Sequence, residues 1–351
     1  MSDFEKGMFR MESKVEFIYL SQEDVLATKI SMVDVIHTVE SVLSLHDEGQ
    51  VNLPSKVILD LGERERGRIN AMPAYLGGDF DICGIKWIAG FPPNPVKFGI
   101  PRAHALLILN DAWTGVPLAI MDCTYISAMR TGAVTGVGAK YLANPDSEVV
   151  GIIGCGVQAK TQIMAIKAVL PSIKFLKGYD IRKEARDQFT KWVSQEIGIE
   201  VKSVGTAKEA VEESDIIVTV TVADEPIVKD AWLKKGSLLA HVGSYQEEEE
   251  QVIYHSDKIV VDLWEEVLHR GTPLLAKLYK AGQIKDEKIY ANLGEIIRGK
   301  KAGRTNKSER IFFSPLGLGS EDVAVGSLVY REAKKKGLGV SLKLWDTPAI
   351  V

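Results

Sequence analysis

The chain has 351 residues, 46% of them hydrophobic and 26% charged, with a formal net charge of −4. Such a composition belongs to an ordinary globular protein, long enough for two domains of roughly 150 residues each. The slight acidity gives no reason to expect nucleic acid, and no segment reaches the ~18 uninterrupted apolar residues of a membrane span.

Met1 to Lys14 is charged and lacks an apolar h-region, so it reads as a frayed extension and not as a secretory signal. Val15 to Leu20 is a short strand, and Ser21-Gln22-Glu23-Asp24 has the form of a capping box. Ile30 to Ile36 leads into a helix ending near Asp47, with Val35, Ile36, Val39, Val42 and Leu43 on a 3.6-residue period. Val57–Leu61 and Arg68–Met72 read as strands around a charged turn, and Phe80–Ile88, Ala105–Asn110 and Val116–Asp122 as further strands. Asn110 to Gly115 has the composition of a hairpin turn. The opening third is therefore a strand-rich α+β unit. A helix then runs from near Tyr125 through Arg130 to Leu142, and Asn144-Pro145-Asp146 ends it. Its small residues, among them Gly132, Ala133, Gly136 and Gly138, imply close packing on another backbone or on a cofactor. Three scattered cysteines, Cys83, Cys123 and Cys155, form no CxxC pair. They point to a reducing compartment, no zinc site and small buried hydrophobes.

The next stretch carries the strongest signal. Val149 to Ile153 is a buried strand that runs into Gly154-x-Gly156-x-x-Ala159, a helical segment and a second strand, Phe175 to Tyr179, followed by Asp180. This is the dinucleotide fingerprint in its proper setting. Gly154 permits the tight turn, Gly156 lets the backbone approach a pyrophosphate, and Ala159 lets the helix pack on the strand. The N–H groups of the helix N-terminus then face the phosphates. Asp180 stands where a carboxylate accepts from ribose hydroxyls and repels a 2′-phosphate, which favours NAD over NADP. Arg182 nearby leaves NADP possible, by stacking on adenine or receiving a phosphate. Val201–Val204, Ile216–Thr221, Leu238–His241 and Lys258–Asp262 continue the alternation of short apolar runs with helix-like stretches, the pattern of a doubly wound parallel sheet. Thr219, Thr221, Val242 and Gly243 end strands of that sheet, where such folds bind ligands. Asp322 to Lys336 is helical and Val340 to Trp345 a strand.

Several motifs in order resemble the ornithine cyclodeaminase/mu-crystallin family. Gly84-Ile85-Lys86-Trp87 to Asn94 is similar to its lysine loop, and Ala128-Met129-Arg130-Thr131-Gly132-Ala133 to its arginine helix. The turn with Gln158, Gly294 to Lys300 and Gly317 to Ala324 match its remaining motifs. The resemblance implies an α/β fold with a central Rossmann domain, residues 129–322. A substrate-binding and dimerisation domain would be built from both chain ends, residues 1–128 and 323–351. It further implies a cytoplasmic homodimer, a nicotinamide cofactor, and chemistry at the α-amine or imine of a small amino or imino acid. Thr131, Val157 and Leu318 join the cofactor-binding set by the same resemblance.

Lys86 and Arg130 are the expected catalytic and substrate-binding residues. Lys86 would bind the substrate carboxylate or transfer a proton at the imine; the alternative is a snorkelling surface lysine. Arg130 would grip the carboxylate, or else form an interdomain salt bridge. Lys56 aligns with a carboxylate-binding arginine of the family or is a surface lysine, and Arg102 stands where many relatives carry a threonine near the cofactor, from which it could reach a second acidic group on a substrate or simply be solvated. Two departures bear on the reaction. Tyr245 replaces the aspartate of true cyclodeaminases, and Asn70 replaces a glutamate. Glu247 to Glu250 either supplies a substitute base or forms the solvated first turn of a helix. The expectation is hydride transfer to or from an imine or α-amino carbon. The alternatives are cyclodeamination of ornithine to proline and a non-catalytic cofactor-binding or regulatory subunit.

Overall fold

The computed structural model describes residues 14–349 except Glu63, Glu65, Arg66, Asp224 and Ser244. The expected N-terminal extension lies outside the described residues apart from Lys14. Two eight-stranded sheets organise the chain.

The first sheet runs in the order Val340–Trp345, Val15–Leu20, Pro117–Asp122, Ala103–Asp111, Ile82–Gly90, Arg68–Leu76 and Val51–Asn52, with Val57–Asp60 also paired to Arg68–Leu76. Val15–Leu20 pairs parallel with Pro117–Asp122, and the other pairs are antiparallel. Both chain ends thus enter one sheet. The strand expected at Phe80–Ile88 starts later, because Gly78 and Asp81 take positive φ (57° and 39°) and hold the preceding residues in a turn. The helix Met32–Asp47 is capped by Ser31, whose hydroxyl accepts from the Asp34 N–H while Asp34 returns a bond to the Ser31 N–H. It packs against the closing helix Gly319–Lys336, which itself lies on the sheet.

The second sheet is parallel throughout. Its order is Glu200–Ser203, Phe175–Tyr179, Val149–Ile153, Ile216–Thr219, Leu238–His241, Ile311–Ser314, Lys258–Val261 and Ala291–Asn292. Chain order reverses between Val149–Ile153 and Ile216–Thr219, which opens a crevice at the carboxyl ends of those strands. Strands covered on both faces read as continuous apolar runs, and Ile216 to Thr219 and Leu238 to His241 are buried at every position. Sequence reading misses Ile311–Ser314, which inserts between two earlier strands.

The helix Thr124–Leu142 joins the two halves, and it solves the question posed by its small residues in favour of another backbone. A Cβ on Gly132 would stand 2.4 Å from the Thr161 carbonyl oxygen on the helix Val157–Val169. The expected boundaries at 128/129 and 322/323 each fall inside a helix, Thr124–Leu142 and Gly319–Lys336. Gly132→Ala should destabilise the fold by about 1–3 kcal/mol, although alanine is the better helix former. An unchanged or raised urea midpoint would show that the helices can part at no cost.

Candidate active site

The glycine turn has the geometry a dinucleotide requires. Gly154 takes φ +98°, and a Cβ there would meet the Val220 carbonyl oxygen at 2.7 Å. Gly156 is the N-cap of the helix Val157–Val169, has no side chain to cap it, and faces open space. The first-turn N–H groups of that helix are therefore left for an anion. At the end of the neighbouring strand the Asp180 carboxylate accepts from the N–H of Cys155 (3.0 Å) and of Arg182 (2.9 Å), which holds it beside the turn. Arg182 Nε stands 3.6 Å from it and 70% of its side chain is exposed. These residues fit the adenosine and pyrophosphate end of NAD.

Further along the crevice is a cavity of about 280 Å³, closed on one side by Val220–Val222, Val242 and Gly243 and on the other by the first sheet. Lys86 rises into it from the strand Ile82–Gly90. It occupies a core position and is 1% exposed, so the snorkelling alternative is excluded. Its Nζ donates to Asp322 Oδ2 (2.5 Å) and Ser127 Oγ (3.2 Å). Arg130 enters from the helix Thr124–Leu142, with Nε donating to Asp322 Oδ1 (3.1 Å) and Nη1 to Glu321 Oε2 (2.8 Å). Two cations and two acids thus form one buried network. Burial, then Arg130, holds the Lys86 pKa below its ordinary range. Burial works against the charge on Arg130 too, but Asp322 and Glu321 more than offset it. Asp322 and Glu321 stood inside the closing motif in the sequence, but nothing local showed what they pair with.

A second cationic group surrounds this one. Lys56 is half-buried, and its pKa is lowered to about 7 by burial and then by Arg270. Burial and then Arg68 lower Arg270 to about 10. Asp262, at the carboxyl end of the strand Lys258–Val261, accepts from the N–H groups of Leu263, Leu316 and Gly317 (2.7–2.8 Å). It thereby fixes the loop that presses on Arg130, where a Cβ on Gly317 would meet Nη1 at 2.1 Å. Arg68, Arg270 and Asp262 have no local signature in the sequence. Asn70 and Tyr245 both line the cavity, and Asn70 Oδ1 is a buried acceptor with no partner among the described residues.

Of the expected site residues, Lys56, Lys86, Thr131, Gln158, Thr221, Val242, Gly243 and Arg130 meet in the cavity, with Arg102 at its edge. Gly154, Gly156, Val157, Asp180 and Arg182 surround the glycine turn. Two residues are placed otherwise. Thr219 is buried and donates to Glu248 Oε1 (2.7 Å), and Leu318 is 2% exposed at the start of the closing helix. Neither lines the cavity.

The acidic run is the clearest correction. The expected solvated first turn begins only at Glu250, and Glu247 and Glu248 are fully buried. Glu247 accepts from the Thr221 N–H (2.7 Å) and hydroxyl (2.5 Å), and Glu248 lies 2.7 Å from His241 Nδ1. Burial works against charge on His241, and Glu248 more than offsets it, so its pKa is raised. A Cβ on Gly243 would fall 1.8 Å from Glu247 Oε2, so this carboxylate packs directly beneath the cavity wall. Helix-dipole preference for acids at an N-terminus has yielded to tertiary hydrogen bonds.

Comparison with known proteins agrees with this architecture. The sequence profile described as "Ornithine cyclodeaminase/mu-crystallin family" matches residues 16–337. An alanine dehydrogenase of Archaeoglobus fulgidus is 39% identical over 94% of this chain and 99% of its own. The structure of Thermococcus litoralis Delta(1)-pyrroline-2-carboxylate reductase in complex with NADH and L-proline superposes with a TM-score of 0.87 at 38% identity, covering 92% of this chain and 99% of that one. An archaeal alanine dehydrogenase dimer with bound NAD gives 0.85 at 37% identity, covering 94% and 100%.

Glu321 sets a pH dependence. Burial pushes its pKa up to about 7, with Arg130 opposing and Asp262 adding to the rise. When Glu321 is neutral, Lys86, Arg130 and Asp322 carry a net positive charge; when it ionises, that charge is cancelled. Lys56, in the same cavity and with its pKa also lowered to about 7, loses its charge over the same range. Affinity for a small carboxylate such as pyruvate should therefore fall as pH rises through about 7; Glu321→Gln should make the step shallower, and Glu321→Gln with Lys56→Met should flatten it. Calorimetric titration between about pH 6 and 8 tests this, and a pH-independent wild-type affinity would refute it.

Proposed function

As a member of the ornithine cyclodeaminase/mu-crystallin family, the chain is, we propose, an NAD-dependent oxidoreductase that transfers hydride between nicotinamide and the α-carbon of a small imino or amino acid. The carrying observation is that Lys86 and Arg130, both buried and both held by Asp322, open on the same cavity as the carboxyl ends of the nucleotide-fold strands. The close relatives that act on alanine and on a cyclic imino acid support the same chemistry.

Gly154, Gly156, the N-terminus of the helix Val157–Val169 and Asp180 would hold the dinucleotide, with NAD preferred because Asp180 repels a 2′-phosphate. Bound there, NADH supplies the hydride. Arg130 receives the substrate carboxylate, since Asp322 and Glu321 fix its plane and leave part of the guanidinium facing the cavity. Lys86 Nζ holds the proton that the imine nitrogen takes up on reduction and returns to it on oxidation, a role suited to a lysine whose pKa is depressed by burial. Asn70 Oδ1, a buried acceptor on the cavity wall without a partner among the described residues, would receive an N–H of the amine. Thr131, Gln158 and the Thr221 hydroxyl line the same wall.

The functional unit is proposed to be a homodimer. On the face of the first sheet opposite Lys86, Tyr19, Trp87, Leu106 and Leu342 are all exposed, and cross-strand register places them together. The archaeal alanine dehydrogenase is itself a dimer. Three unpaired cysteines support a cytoplasmic setting, and among the described residues no helix is long and apolar enough to cross a membrane.

Lys86→Ala should reduce kcat for imine reduction by roughly 10² to 10⁴, with NADH affinity changed less than about tenfold. Steady-state kinetics with fluorescence titration of NADH would measure both. Near-normal kcat would remove Lys86 from proton transfer.

Ornithine should not be converted to proline at a useful rate. Ring closure needs a base for the δ-ammonium, whose reference pKa is about 10.4. Asn70 does not titrate, and neither it nor Tyr245 is a carboxylate. Glu247 is fully buried beneath Gly243, does not line the cavity, and has Oε1 taken by Thr221. Proline release approaching about 1 per second with catalytic NAD would refute this.

A further inference from the structure

Charge is distributed unevenly around the cavity. Lys56, Arg68, Lys86, Arg102, Arg130 and Arg270 line it, and no acid among the described residues does. The acids lie behind the wall. Asp322 and Glu321 pair with Lys86 and Arg130. Asp262 acts on Lys56 and Arg270, and Glu266 on Lys56. Arg68 and Arg102 have no acidic side chain paired with them among the described residues. Arg68 instead repels Arg102, whose pKa is lowered by burial and then by that neighbour. Holding like charges together at a cavity mouth costs free energy unless an anion sits between them.

Register shows where that anion would sit. Arg68 is paired with Gly90, Gly90 with Ala103, and the Phe91 N–H donates to the Arg102 carbonyl (2.8 Å). The two arginines therefore flank Gly90, and a Cβ on Gly90 would meet nothing within 4 Å. Gly90 lies four residues beyond Lys86 on one strand, about 13 Å of strand rise between their Cα atoms, and the side chains of Arg68 and Arg102 reach back across part of that span to line one cavity with Lys86. One anion site is thus deep, at Lys86 and Arg130, and another lies at the rim. The same cavity connects them.

We propose that the substrate carries a second carboxylate, received by Arg68 and Arg102, so that the enzyme acts on a 2-imino or 2-oxo dicarboxylate and not on a simple monocarboxylate. This rests on the hydride-transfer reading for its chemistry, but the rim site is a binding claim of its own. Two guanidiniums across a gap match a carboxylate in planar, two-point fashion. A monocarboxylate of equal length would leave both uncompensated.

The test uses the NADH complex without ammonia, where no turnover occurs. Quenching of bound-NADH fluorescence gives the affinity for 2-oxoglutarate and for 2-oxopentanoate, which differ by a terminal carboxylate in place of a methyl. The wild type should prefer 2-oxoglutarate by at least about tenfold. Arg68→Ala and Arg102→Thr should each reduce that ratio severalfold. Equal affinities in the wild type overturn the proposal. So does a result in which the two variants weaken NADH itself by about tenfold and leave the ratio intact, because the arginines would then serve a cofactor phosphate. Adding ammonia separates the two readings. A dicarboxylate preference without NADH oxidation supports the rim site and sinks the hydride-transfer assignment; oxidation without the preference does the reverse.

Discussion

One buried carboxylate holds the active region together. Asp322 accepts from Lys86 with one oxygen and from Arg130 with the other. Taking two cations out of water is costly, and an unpaired buried charge costs roughly 3–5 kcal/mol. Asp322 meets that cost from a helix that closes the chain, so the site exists only after the last helix has docked. Glu321 completes the pairing of Arg130, and burial raises its own pKa against the pull of Arg130. The structure thereby keeps two mutually repelling positive groups side by side at one cavity.

The remaining architecture keeps that network in register with the nucleotide fold. Gly132 brings the arginine-bearing helix against the backbone of the helix Val157–Val169, and Gly317 lets the loop clamped by Asp262 rest on the guanidinium. Glu247 ties Thr221 in the same way from beneath Gly243. Each contact passes through a glycine or a backbone N–H, and such contacts leave little room for movement. In the proposed reaction, the wall under Gly243 and the guanidinium of Arg130 would together set the distance across which hydride passes.

The electrostatic contrast between the floor and rim of the cavity separates general chemistry from specificity. On the floor every cation has an acid behind it, so its orientation is fixed before substrate arrives. At the rim Arg68 and Arg102 rely on whatever enters. Asn70 and Tyr245 line the same cavity and stand where the family resemblance implies the carboxylates of a cyclising enzyme.

Whatever depends on consecutive residues was legible in the chain. The turn at Gly154 and Gly156, the uncapped helix start and Asp180 are governed by local φ, spacing and strand length, and the folded protein keeps them together. The alternating strand around Lys86 and the small-residue helix around Arg130 were visible for the same reason, as periodic patterns. Pairing was not. Asp322 lies 236 residues from Lys86 and 192 from Arg130, and no periodicity links them. Glu247 shows the converse, because a local preference for acids at helix starts predicted exposure, while hydrogen bonds from Thr221 held it inside. Most strands and helices and the burial of their apolar residues were thus determined by the sequence through short-range sterics and hydrophobic periodicity. Which charges meet was decided by the tertiary structure, because electrostatic partners are selected by proximity in the folded protein and leave no trace in local order.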